Sequence, residues 1–110
     1  MVAIKRHKVL LDQSTAGNGD WVRLDSRYDC DSTRSIQIEL TSGDQIDIEV
    51  TSVDVRGGDP ATVLAGLAAD DISVLSSYTA DEADTIIGSW TYIRAVKTGT
   101  NGNAKVQGFV

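Results

Sequence analysis

The side chains best suited to chemistry are few and poorly placed for it. The single histidine, His7, sits in Lys5-Arg6-His7-Lys8 with no carboxylate beside it to orient the ring. The single cysteine, Cys30, lies between Asp29 and Asp31. Flanking negative charge disfavours the thiolate, so Cys30 reads as a small structural side chain and a poor nucleophile. No Gly-x-Ser-x-Gly elbow is present, and Gly57-Gly58 lacks the Lys-Ser or Lys-Thr that a nucleotide-phosphate loop needs. Two acidic groups come nearest to a site: Asp25, Asp29 and Asp31, and then Asp81, Glu82 and Asp84. Calcium takes several hard oxygens from a loop, so the first group is a weak candidate for metal ligation, though neither has EF-hand spacing. No catalytic residue and no cofactor are expected, and the chain does not read as an enzyme.

Binding chemistry is the alternative. β-Sandwiches that bind sugars stack exposed aromatic rings on the sugar face, but only 5% of this chain is aromatic. Trp21 and Trp90 read as packing residues at strand starts. Ten Lys and Arg against sixteen Asp and Glu leave a net charge of −6, a field that disfavours nucleic acid as a partner. Three of the ten basic residues, Lys5, Arg6 and Lys8, fall within the first eight positions. They form either a basic arm able to clasp an acidic neighbour or an edge strand protected by lysine.

These residues must be held by a β scaffold. With 110 residues the chain suits one domain, 1–110, large enough for a core without disulfides; a lone cysteine excludes an internal one. No apolar run approaches the roughly 20 residues of a membrane span, nor does the start resemble a signal peptide, so a cytoplasmic site of synthesis is expected. Residues 35–40 and 45–50 alternate strictly: Ile36, Ile38 and Leu40 against Gln37 and Glu39, then Ile46, Ile48 and Val50 against Asp47 and Glu49. Each is a strand with one buried face. Further strands are expected at 4–11, 21–25, 73–79, 84–87, 91–98 and 104–110, separated by turn signals such as Gly17-Asn18-Gly19 and Asn101-Gly102. About eight short strands make an all-β antiparallel sandwich or jelly roll. Residues 60–69 are either a short helix, with Asp59 as N-cap and Pro60 at the first position, or an irregular loop.

Two pairings matter for function. A hairpin of 35–40 with 45–50 would set Glu39 opposite Asp47, a destabilising like-charge pair. Placing the two strands in different sheets removes it with no extra ingredient and is expected first, the alternatives being a cation or an arginine between the two or a partner over that face. At the C-terminus, Asn101-Gly102 suits a type I′ turn closing a hairpin with Ala95 opposite Gly108 and Ile93 opposite Val110. Its outer face would then carry Tyr92, Arg94, Val96, Gln107 and Phe109, a composition favoured at protein interfaces.

The same hairpin carries a family resemblance. Trp90-Thr91-Tyr92-Ile93-Arg94-Ala95-Val96-Lys97-Thr98-Gly99-Thr100, then Asn101-Gly102 and Ala104-Lys105-Val106, resembles the C-terminal end of small structural proteins of tailed bacteriophages. Ser14-Thr15-Ala16-Gly17-Asn18-Gly19 before Trp21-Val22 is similar to the same group, as are residues 35–50 and 75–87, with their Tyr78-Thr79 and Asp84-Thr85-Ile86. Residues 60–69 depart from it as an insertion. The resemblance implies a non-enzymatic β-sandwich subunit of a virion, foremost a capsid decoration or cement protein that bridges major capsid subunits and stabilises the shell. A neck, tail or baseplate subunit is the alternative, and a carbohydrate- or calcium-binding module a more distant one. The implied partners are the major capsid protein and copies of the chain itself, as a homotrimer, without membrane or nucleic acid. Tyr92, Arg94, Val96 and Phe109 would make subunit contacts, and Lys5, Arg6 and Lys8 would dock on an acidic coat surface.

Overall fold

The computed structural model describes residues 6–24, 33–55 and 58–110. Asp25, Asp29 and Asp31, along with Tyr28, Cys30, Lys5 and Gly57, lie outside the described residues.

Two antiparallel sheets face each other across one apolar layer. The strands are β1 (His7–Gln13), β2 (Gly17–Asn18), β3 (Val22–Arg23), β4 (Thr33–Glu39), β5 (Gln45–Thr51), β6 (Ser73–Tyr78), β7 (Glu82–Ile87), β8 (Tyr92–Thr98) and β9 (Ala104–Phe109). One sheet has the order β1-β9-β4-β7; the other runs β2-β8-β5-β6, with β3 also pairing β8. Alternation sends Ile36 and Ile38 of β4 and Val106 of β9 inward to meet Ile46, Ile48 and Val50 of β5 and Ile93 and Ala95 of β8. The chain is an all-β sandwich with one short helix, as its strand periodicity indicates.

Most consecutive strands change sheet. The step from β4 to β5 is one such crossing, and it resolves the charge conflict: Glu39 stands opposite Lys105 of β9, while Asp47 stands opposite Val96 and Ser77. In β1 a bulge between Val9 and Leu11 breaks the alternation and lets Leu10 and Leu11 both enter the core.

The helix α1 (Pro60–Ala65) is shorter than the span 60–69 suggests. Gly66 ends it, its N–H reaching back to the carbonyls of Thr62 and Val63 at 3.2 Å. Asp59 does stand at the N-cap position, but its carboxylate accepts from the Thr62 hydroxyl (2.8 Å) and not from a backbone N–H.

The expected C-terminal hairpin is not formed. β8 and β9 lie in opposite sheets, so Ala95 stands opposite Ile48 and Gly108 opposite Lys8 and Ile36. Among the described residues no non-glycine residue has positive φ, and Gly102 is not among the positive-φ glycines, which excludes a type I′ turn at 101–102. The 99–103 segment is a crossover between sheets, and a buried charge holds it there.

Candidate functional site

Two charged side chains sit where alternation demands apolar ones. Lys97 follows Ile93 and Ala95 on the inner row of β8, and its side chain is fully enclosed. Its ammonium has three hydrogens and three acceptors: Asp44 Oδ2 at 3.1 Å, the Ser14 carbonyl at 3.0 Å and the Gly99 carbonyl at 2.5 Å. Asp44, in the β4–β5 turn, accepts in addition from the Asn101 N–H (3.0 Å), the Asn101 amide (2.8 Å) and the Gly102 N–H (3.2 Å). The backbone N–H of Asn101, with help from its side chain and from Lys97, overcomes burial and holds the Asp44 carboxyl down to about 2. Three connections, at 14, 44 and 99–102, are thereby tied together at one end of the sandwich. Every polar hydrogen of the ammonium is engaged, so the pair is a structural clasp.

A second, part-buried polar link joins the sheets at the edge formed by β6 and β7. Tyr78 of β6 donates its phenolic hydrogen to Asp84 Oδ2 of β7 at 2.6 Å and accepts from the Ser76 hydroxyl at 2.8 Å. Burial, reinforced by the Asp84 carboxylate, pushes the Tyr78 phenol up to about 12. The folded state thus favours the protonated phenol, a contribution complete below pH 10 and lost as pH climbs through 12. Tyr78→Phe is expected to lower unfolding free energy by about 1–2 kcal/mol, read from urea melts at neutral pH, because Asp84 loses a short bond. Arg34, also enclosed, continues the inward row of Ile36 and Ile38, and its Nη1 donates to the Gly88 carbonyl at 2.6 Å.

The interface residues read from the sequence do not share one surface, because the hairpin that would unite them is absent. Tyr92 is buried on the row of β8 opposite to Ile93, between Arg23 and Thr51. Arg94 is engaged within the chain: its Nε donates to Glu49 Oε1 at 2.7 Å, and its guanidinium lies over the Trp21 ring, 4.4 Å from the centroid. Trp21 therefore packs on the outside of the five-stranded sheet, whereas Trp90 packs against the core as expected. Val96 is half-buried beside Asp47. Of the basic arm, Arg6 is exposed, while the Lys8 ammonium donates to the Arg23 carbonyl at 2.6 Å.

Phe109 is different. It is 52% exposed on the outer face of the four-stranded sheet, far from Tyr92 and Arg94 in pairing order. Its strand partners His7 and Ser35 stand in one row with Thr85, and the next row holds Val9, Gln107, Gln37 and Ala83. Val9 and Ile87 are exposed on the same face. The His7 ring meets Phe109 edge-on, centroids 5.5 Å apart, and its Nε2 lies 3.1 Å from Gln107 Oε1, which fixes the aromatic pair. Phe109, His7, Gln37 and Gln107 line a depression of about 590 Å³ together with the small residues Ser35, Ala83, Thr85 and Gly108. Asp84 at its margin turns its carboxylate inward to Tyr78. Periodicity alone places these residues on an outer face; only the order β1-β9-β4-β7 brings them together.

Among the described residues, no group of three or more His, Cys, Asp or Glu stands together as possible metal ligands, and no helix is long and apolar enough to cross a membrane. Compared with protein-family models, with curated proteins and with solved structures, the chain finds no match.

Proposed function

We propose that the chain is a non-enzymatic structural protein of a tailed-bacteriophage virion, a decoration subunit that binds the outer shell, bridges neighbouring coat subunits and stabilises them. One observation carries this reading: a body of net charge −6 presents an outer sheet face that is uncharged over two full rows and studded with Val9, Ile87 and Phe109. Exposed apolar side chains set among uncharged polar ones, on an otherwise acidic body, suit an interaction surface. The pattern shared by residues 90–106 with phage structural proteins supports the choice of assembly. The engaged state of the enclosed ion pair fits a scaffold, since its charges are consumed in holding connections.

The mechanism is additive burial. A contact of modest area is weak alone, but many copies on one closed shell act together, and each bridge that must break raises the resistance of the whole. The test uses particles that lack this chain, with and without purified protein added back. Added protein is expected to raise the temperature at which packaged DNA escapes. Unchanged release with the protein bound, or no binding at all, would refute a cementing role.

A further inference from the structure

We infer that the outer face of the four-stranded sheet is a two-fold interface, and that its occupant is a second copy of this chain with Phe109 of each copy seated in the depression of the other. The inference rests on the reading of this face as an interaction surface and assigns it to contact between copies, leaving contact with the coat to other surfaces of the pair; it is read in solution, apart from any particle.

Shape is the first argument. Phe109, 52% exposed, lines the side of a hollow shared with His7, Gln37 and Gln107 and with the smaller Ser35, Ala83, Thr85 and Gly108. When knob and hole share a single face, a two-fold rotation brings each knob onto its partner's hole, and the contact closes on itself. A ring of three requires knob and hole on different faces, so this surface makes a pair and not the homotrimer that the family resemblance implies.

Charge is the second argument. The rows His7–Phe109–Ser35–Thr85 and Val9–Gln107–Gln37–Ala83 contain no acidic or basic side chain other than His7, and neither does the adjoining Thr33–Ile87 pair. Two bodies of −6 repel one another. On this face they approach without opposing like charges. The next row, Asp12–Lys105–Glu39, mixes signs and bounds the patch.

Apolar content is the third. Of the four large apolar residues exposed among the described ones, three lie here, and only Val74 is on the other sheet. Area then sets the strength. Two full rows across four strands and the Thr33–Ile87 pair, with strands about 4.8 Å and rows about 7 Å apart, give a footprint of roughly 340 Å², less than half the typical 800 Å² per partner. The pair is therefore weak, micromolar or weaker, a strength suited to contacts repeated over a shell.

Sedimentation velocity from about 1 μM to about 1 mM protein tests this. The expected result is a concentration-dependent rise from 11.7 kDa toward about twice that mass. Phe109→Asp and, independently, Ala83→Arg should each weaken association at least about thirtyfold, as loss of a central anchor does. Both side chains are exposed, so circular dichroism and thermal midpoint should stay near wild type. Val74→Asp, on the opposite sheet, should leave association unchanged. A monomer across the whole range, a trimer, or a dimer indifferent to Phe109→Asp would overturn the inference. A monomeric chain that still stabilises particles would separate failure of this interface from failure of the decoration role.

Discussion

Lys97→Ala is expected to destabilise the protein by about 3–5 kcal/mol, because it strands the Asp44 carboxylate in an enclosed site and leaves two backbone carbonyls without their donor. Against a typical total of about 5–15 kcal/mol, such a loss brings the chain close to unfolding at physiological temperature. Lys97→Met separates the two contributions of the side chain. It keeps the aliphatic stem and removes the charge, so a loss close to that of alanine assigns the effect to the ion pair. Acid supplies an independent reading. The Asp44 carboxyl, held down to about 2 chiefly by the Asn101 N–H, contributes stability that is complete above about pH 4 and is lost as pH falls through 2. Removing Lys97 takes away part of that restraint, so acid unfolding should begin at higher pH in the variant. Thermal melts from pH 2 to 7 check both; a variant that melts within a few degrees of wild type at pH 7 would contradict the clasp.

Gly108→Val should cost about 3 kcal/mol or more and lower the melting midpoint by more than about 10 °C. Gly108 lies in β9, the strand flanked by β1 and β4, where a Cβ would run into the Ser35 carbonyl oxygen and the Ile36 Cα. Both obstacles are backbone, which cannot rotate aside as a side chain would. Making room means moving β9 away from β4, and that disturbs pairing with β1 as well. Scanning calorimetry reads the effect, and a midpoint unchanged by the valine would show that the two strands are less tightly apposed than the structure has them.

The strands were legible because alternation is local: Ile36, Ile38, Ile46, Ile48 and Val50 announce their own inward face. Sheet membership was legible only where a charge conflict exposed it, at Glu39 and Asp47. At the C-terminus the same test was available and pointed elsewhere. Asn101-Gly102 has the composition of a tight hairpin turn, but Asp44, far away in sequence, takes the Asn101 and Gly102 N–H groups and draws the segment across to the other sheet. The clue was Lys97, a charge on the inward row after Ile93 and Ala95, which demanded a buried partner. The sequence groups Phe109 with Tyr92 and Arg94 through a hairpin that does not form, since those two belong to the other sheet. The actual neighbours of Phe109, His7 and Gln107, come from strand order, which no short-range pattern encodes.

The most direct measurement of the proposed role is the absolute number of copies per purified virion, obtained by quantitative mass spectrometry against the major coat protein. A decoration subunit should be present in hundreds of copies, in fixed ratio to the coat. A handful of copies would place the chain in the neck, tail or baseplate, and its absence from purified particles would contradict a virion role altogether.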